Sequence, residues 1–192
     1  MVLEIHKQVN SRYGSMTYWF VVDRIIFIVD PGDPDFLESL DPRDYDECRI
    51  LLTHAHFDHI YGVPELLRKF EKVSIFTNED GAETLCSAKK NLSKYQGEPI
   101  EINREEMDFL FVDHCDFIYK SPSIRAIFTP GHHPSCITWM IDGECFFTGD
   151  SYIPGIPVVT NLPGGRKELA RKWENRLKEL SEGLSIYPGH KV

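Results

Sequence analysis

No stretch of this sequence is apolar for the roughly 20 residues that a membrane span needs. Its opening, M-V-L-E-I-H-K-Q-V-N, holds no apolar run of signal-peptide length. The expectation is a chain with no membrane partner and a cytoplasmic location. Positive charge is scarce too. Lysine and arginine number 21 against 30 aspartates and glutamates, a net charge of −9, which argues against a broad grip on phosphate backbones, so no nucleic-acid partner is expected. Small anionic substrates stay open, because bound cations reverse a local field. Paired cysteines are missing: Cys48, Cys86, Cys115, Cys136 and Cys145 are odd in number, scattered and without a C-x-x-C pair. Reduced, partly buried thiols are the expectation. Repeats and low-complexity tracts are absent as well.

What remains is an ordinary globular composition over 192 residues, a length that fits one domain spanning 1–192. Residues 16–22 and 24–29 are β-branched and aromatic, with Asp23 and Arg24 as a tight turn between them. D-P-G-D at 30–33 breaks the second strand, and a short helix fits 35–40. Residues 48–53 form a compact apolar run, read as a buried strand. Helix follows at 64–70, with Pro64 in its first turn, then strand at 73–77. Asn78 and Asp80 are candidate caps for a helix running to about Tyr95. Residues 97–120 carry no clear pattern. Strands are predicted at 125–129, 137–141 and 144–148, the last two joined by the hairpin signal Asp142-Gly143. A leucine and tryptophan stripe marks a helix over 167–180, and a final strand at 184–187 ends in P-G-H. The basic residues Lys167, Arg171 and Lys172 read as its solvated face. Strand-rich halves around a mixed middle indicate two sheets with helices outside, a layered α/β arrangement.

The chemistry is concentrated directly after the 48–53 strand, in T-H-A-H-F-D-H-I. Side chains two apart in an extended segment point the same way, so His54 and His56 face one point. Asp58 and His59 fall where the chain turns and aim at a neighbouring point. Imidazole nitrogen and carboxylate oxygen are ligands for borderline cations such as zinc. So dense a cluster would be crowded and desolvated for no gain unless a metal offset the cost. Four residues do not complete two sites, and three further strand ends offer the remainder: T-P-G-H ending at His132, F-T-G-D ending at Asp150 and Y-P-G-H ending at His190. Each sets a glycine before a ligand type.

This ordered set, together with V-D-P-G-D at 29–33, resembles the metallo-β-lactamase superfamily, on its hydrolase side with glyoxalase II-like proteins. The motifs span residues 29–190. The resemblance implies a four-layer αββα sandwich with the site along one edge of the two sheets. It implies one metal on His54, His56 and His132, a second on Asp58, His59 and His190, and Asp150 bridging them. The implied cofactors are two divalent ions, zinc first, with iron and manganese as the other ions such ligands take. The implied reaction is attack of a metal-activated hydroxide on a thioester, ester or lactone of a small molecule, hydroxyacylglutathione hydrolase-like, with Asp58 orienting the nucleophile. His133 competes with His132 for the third position, and the T-P-G-H register favours His132. His6 and His114 have no motif context and are expected at the surface or in the core. Among aromatics, Tyr61 and Tyr152 adjoin ligands in sequence and are the candidates to contact substrate. Tyr18, Trp19 and Trp139 are weighed equally as core. Asp30 is read either as a support behind the ligands or as a turn former.

The chain also departs from the family's branches. Tyr61 stands where the first glycine of D-H-x-G-G would be, T-P-G-H runs on into H-P-S-C, and Asp150 is followed by S-Y-I-P-G-I-P rather than a G-C-G-R-type loop. Full-length glyoxalase II enzymes continue into a helical region beyond the last histidine that helps bind the glutathione thioester. Two alternatives therefore stand beside the hydrolase: an oxidoreductase resembling the mononuclear-iron persulfide dioxygenases, and a metal-loaded binding domain with little turnover.

Overall fold

The computed structural model of the chain describes residues 3–104, 108–111, 117–120 and 122–192, with strand pairing alone for 108–111 and 117–120. His114 and Cys115 lie outside the described residues. The first sheet holds β1 (His6–Val9), β2 (Met16–Val22), β3 (Ile25–Val29), β4 (Glu47–Leu51), β5 (Val73–Thr77) and β6 (Asp108–Phe111), side by side in that order. Its first three strands form an antiparallel meander; from β3 to β6 the pairing is parallel. The second sheet runs β11 (Ser185–Pro188), β10 (Cys145–Gly149), β9 (Ile137–Ile141), β8 (Ser123–Phe128), β7 (Phe117–Lys120), antiparallel except for the β10–β11 pair.

The predicted hairpin turns have a shared cause. Asp23 and Arg24, and likewise Asp142 and Gly143, have positive φ at both central positions, the backbone whose twist matches that of the flanking strands. Along β3, Ile26 and Ile28 pack with Phe36, Leu66 and Leu85, while Phe27 and Val29 turn the opposite way toward Trp139 and Phe147. Ile50 and Leu51 divide in the same manner on β4. Burial on both faces is why these strands read as unbroken apolar runs. The first cluster lies under α1 (Val63–Lys69) and α2 (Glu79–Leu85); the second fills the space between the sheets. The last helix, α3 (Lys167–Leu180), covers the second sheet, with Ala170 so close to Gly131 that a Cβ there would overlap its backbone. The architecture is the αββα sandwich. Among the described residues no helix is long and apolar enough to cross a membrane.

One element differs from expectation. The helix after Asn78 ends at Leu85 rather than near Tyr95. Asn78 caps it through the Gly81 N–H, as predicted. Beyond it, polar side chains turn inward and take over the backbone groups that a helix would have used. The Asn91 amide donates to the carbonyls of Leu85 and Ile100, and the Ser93 hydroxyl accepts from the Ile100 N–H. The Asn91 carbonyl in turn accepts the Phe57 N–H at 2.8 Å, so this segment is fastened to the histidine-rich loop.

Strand direction collects the candidate residues. β8 and β10 are both antiparallel to β9, and β11 is parallel to β10, so β8, β10 and β11 end on one edge. β3 and β4, mutually parallel, also end together. The two edges are joined where the Ile137 N–H meets the Thr53 carbonyl, the Trp139 indole meets the Leu52 carbonyl and the Met16 N–H meets the Gly189 carbonyl.

Candidate metal centre

The chain bends at Thr53, just beyond β4, and His54 and His56 come to one cluster. A ligand atom from each, with one from His132 beyond β8, falls within a cluster 4.8 Å across. Asp58, His59 and His190 make a second cluster of the same span. Asp150, at the end of β10, stands between them. Its Oδ1 is 3.6 Å from His59 Nε2, and its Oδ2 is 3.6 Å from His132 Nε2 and 3.5 Å from His190 Nε2. All seven sequence-predicted ligand candidates are thus brought together. His133 is not among them: its Nδ1 faces the Ser135 hydroxyl at 2.8 Å and its ring packs against that of His56.

Outer contacts fix how the rings present themselves. His54 Nδ1 lies 3.2 Å from the Thr53 hydroxyl, His59 Nδ1 3.0 Å from Asp30 Oδ2, His132 Nδ1 2.8 Å from the Val159 carbonyl and His190 Nδ1 3.1 Å from the Tyr13 carbonyl. Each leaves Nε2 turned inward. His56 differs, placing Nδ1 2.9 Å from His132 Nε2. Asp30 is itself held, accepting the Thr53 N–H on Oδ1 and the Thr53 hydroxyl on Oδ2. Of the two roles open to Asp30, the observed one is to brace His59 and Thr53 behind the site.

Buried polar atoms at the site match what a cation would bind. His54 Nε2, His59 Nε2 and Asp150 Oδ1 are buried without a hydrogen-bond partner, a costly arrangement for polar atoms. Burial, then the neighbouring imidazoles, hold His54 and His56 well below the ordinary histidine pKa. Burial acts the same way on His59, yet Asp58, Asp150 and Asp30 outweigh it and carry its pKa to about 10. For Asp150, burial works to raise the pKa, but His190, His59 and His132 hold it well below the usual carboxylate range. A proton on His59 supplies positive charge that the carboxylates call for. Divalent metal ions would supply more of it and would satisfy the inward nitrogens, so this donor set fits them.

Two glycines make room. Gly149 has φ of 51°, and a Cβ there would overlap the Thr53 hydroxyl; at Gly189 it would overlap Asp150 Oδ1. Gly189→Ala is expected to displace the Asp150 carboxylate and lower bound metal at least tenfold at limiting metal, a loss of the size seen when a supporting contact is removed (~10–100-fold). Elemental analysis after desalting checks this; unchanged metal content would refute the role given to Gly189.

In front of the ligands is a hollow of about 380 Å³. Five of the seven candidates line its floor, and Tyr13, Phe57, Leu92, Val159 and Leu162 form its walls, with Gln96 between them. Sequence reasoning missed these wall residues, which come from loops without periodicity. Of the two aromatics chosen for substrate contact, neither lines this hollow. Tyr61 sits in the core with the Arg12 guanidinium 3.9 Å above its ring, and Tyr152 lines a separate hollow with Lys178 and Ser181. Adjoining a ligand in sequence does not bring either ring onto the hollow, because the chain turns through a 3-10 turn at Phe57–His59 and again after Gly149. Trp139 and Tyr18 are core, and Trp19 stacks between Phe36 and the exposed His6.

The family model for the metallo-beta-lactamase superfamily matches residues 12–190. A probable metallo-hydrolase of Streptococcus pyogenes serotype M6 is 24% identical over an alignment 196 positions long, which covers 99% of this chain and 84% of that one. A hydroxyacylglutathione hydrolase of Actinobacillus pleuropneumoniae serotype 5b is 25% identical over 169 residues, 88% of this chain and 62% of that one. In backbone, the chain is similar to the crystal structure of the BLEG-1 B3 metallo-beta-lactamase, with a TM-score of 0.83, 24% identity and coverage of 98% and 92%.

Proposed function

The chain belongs to the metallo-β-lactamase superfamily and is a hydrolase, and from that premise we propose that it cleaves a thioester, ester or lactone of a small molecule at a pair of divalent ions, zinc first. The observation that carries this reading is the pair of three-ligand clusters sharing Asp150. In it, His54, His56 and His132 would hold one ion and Asp58, His59 and His190 the other, with Asp150 lying between the two clusters. When bound, such ions supply a water of lowered pKa and polarise a carbonyl. The protein's own part is positional. Asp58 Oδ2, 3.4 Å from His190 Nε2, faces the hollow and orients the attacking water by accepting its hydrogen bond. Asp30, Thr53, and the carbonyls of Val159 and Tyr13 keep the imidazoles aimed. A hydroxyacylglutathione thioester belongs among the compounds tested, since a relative bears that activity in its name.

The test combines elemental analysis with a substrate panel that includes a glutathione thioester, simple esters, lactones and a phosphodiester. The expected result is about two metal equivalents per chain and turnover of a carbonyl substrate that a chelator abolishes. Full-rate turnover by metal-free protein would sink the proposal. Full metal loading without turnover of any substrate would favour a binding domain, and one iron with dioxygen uptake on a persulfide would favour the oxygenase alternative.

A further inference from the structure

Two turns supply part of the hollow's wall: Tyr13 with Gly14 between β1 and β2, and Leu92 just before the 3-10 turn at Ser93–Tyr95. Tyr13 and Leu92 both have left-handed φ, 55° and 70°, where glycine or asparagine is the usual occupant. Both nevertheless carry large side chains, and both line the same hollow. Strained non-glycine backbone of this kind gathers at functional sites. Tyr13 is fixed three times over. Its carbonyl faces His190 Nδ1, its hydroxyl donates to Gln96 Oε1 at 2.9 Å, and its ring meets Phe57 edge-on with centroids 5.1 Å apart. Tyr13 is still 68% exposed, and Val159, on the same hollow, is 48% exposed. An ordered tyrosine presenting that much surface beside Leu92, Val159 and Leu162 is a preformed apolar wall, which a ligand can cover without first ordering it.

We infer that this hollow takes an uncharged, apolar substituent of the substrate, next to the scissile carbonyl, and that Tyr13 is the residue setting the preference. The inference rests on the hydrolase reading for its position but makes its own demand. Apolar area covered in the hollow must appear as selectivity, on the acyl side or on the leaving-group side.

Two substrate series separate those sides: thioesters of one small neutral thiol from acetyl to octanoyl, and acetyl thioesters of alkyl thiols from methyl to octyl, with acetylglutathione beside them. In one series kcat/KM of the metal-loaded enzyme is expected to rise about threefold per methylene, mainly through KM. Tyr13→Ala should flatten that slope, Tyr13→Phe should preserve it because the ring remains, and Leu162→Ala should shorten it from the far wall. Calorimetric titration of the metal-free protein with octanamide against acetamide gives a readout independent of turnover: octanamide binds more tightly, and Tyr13→Ala removes the difference. Flat slopes in both series, a preference for acetylglutathione over the octyl compounds, or equal binding of the two amides would overturn the inference. If no carbonyl compound is turned over, the proposed carbonyl cleavage fails and the amide titration still decides this inference.

Discussion

Asp150→Asn is expected to lower kcat/KM by roughly three orders of magnitude, because several kcal/mol of charge stabilisation depend on a carboxylate reaching both clusters. The substitution keeps the shape of the side chain and removes its charge. What it disturbs is visible in the distances: Asp150 lies 3.5 to 3.6 Å from one imidazole of the first cluster and two of the second. An amide nitrogen at either position would turn hydrogens toward histidine nitrogens that already carry protons or must accept a cation. Bound metal is therefore expected to fall from about two equivalents to one or fewer, while far-ultraviolet circular dichroism stays at the wild-type level. Asp150 also contributes to raising the pKa of His59 to about 10. In the metal-free variant His59 should titrate at lower pH, which NMR of the imidazole can follow. A variant that kept both ions and its rate would remove Asp150 from the shared position proposed for it.

The candidate ligands were legible because four of them, His54, His132, Asp150 and His190, come just after an apolar strand, behind a threonine or a glycine, and strands that run the same way bring such ends together. His54 to His59 needed no three-dimensional knowledge, and neither did the hairpin turn at Asp142-Gly143, a pair that favours positive φ; at Asp23-Arg24 only the two flanking apolar runs marked the turn. The leucine stripe of α3 marked the observed span, Lys167–Leu180. The segment after Leu85 was opaque for a physical reason. Asn91 and Ser93 look like solvent-facing helix positions until their side chains are seen to cap distant carbonyl and amide groups. The hollow was hidden for the opposite reason. Tyr13, Gln96 and Val159 share no pattern and are joined by single contacts between loops far apart in sequence. Tyr61, adjoining a ligand, was chosen by proximity along the chain, and proximity along a turning chain says little about direction. Asp30 lay between these cases: D-P-G announced a turn, but not that the turn's left-handed first residue, φ 49°, aims its carboxylate at His59.

That orientation makes Asp30→Asn the second large effect. Asparagine tolerates the left-handed backbone about as readily as aspartate, so the change tests the side chain and not the turn. Asp30 accepts three hydrogen bonds, from the Thr53 N–H, the Thr53 hydroxyl and His59. Its carboxylate and the His59 ring are buried, 2% and 0% exposed. An amide can accept on its oxygen alone, so its NH2 group must confront a donor. Removing one partner of a buried, hydrogen-bonded pair costs about 3–5 kcal/mol, which for a chain of this length lowers the melting temperature by roughly 10 °C. The loss should already be present in metal-free protein, since the contacts involved need no ion. A further ~10–100-fold loss of metal affinity is expected on top, because His59 would no longer be held with Nε2 inward. Thermal melts of metal-free and metal-loaded protein separate the two contributions, and chelator competition measures the second. A variant that matched wild type in the metal-free melt and in metal affinity would reduce Asp30 to a former of the turn. A loss confined to the loaded protein would mean that the His59 contact forms only around a bound ion.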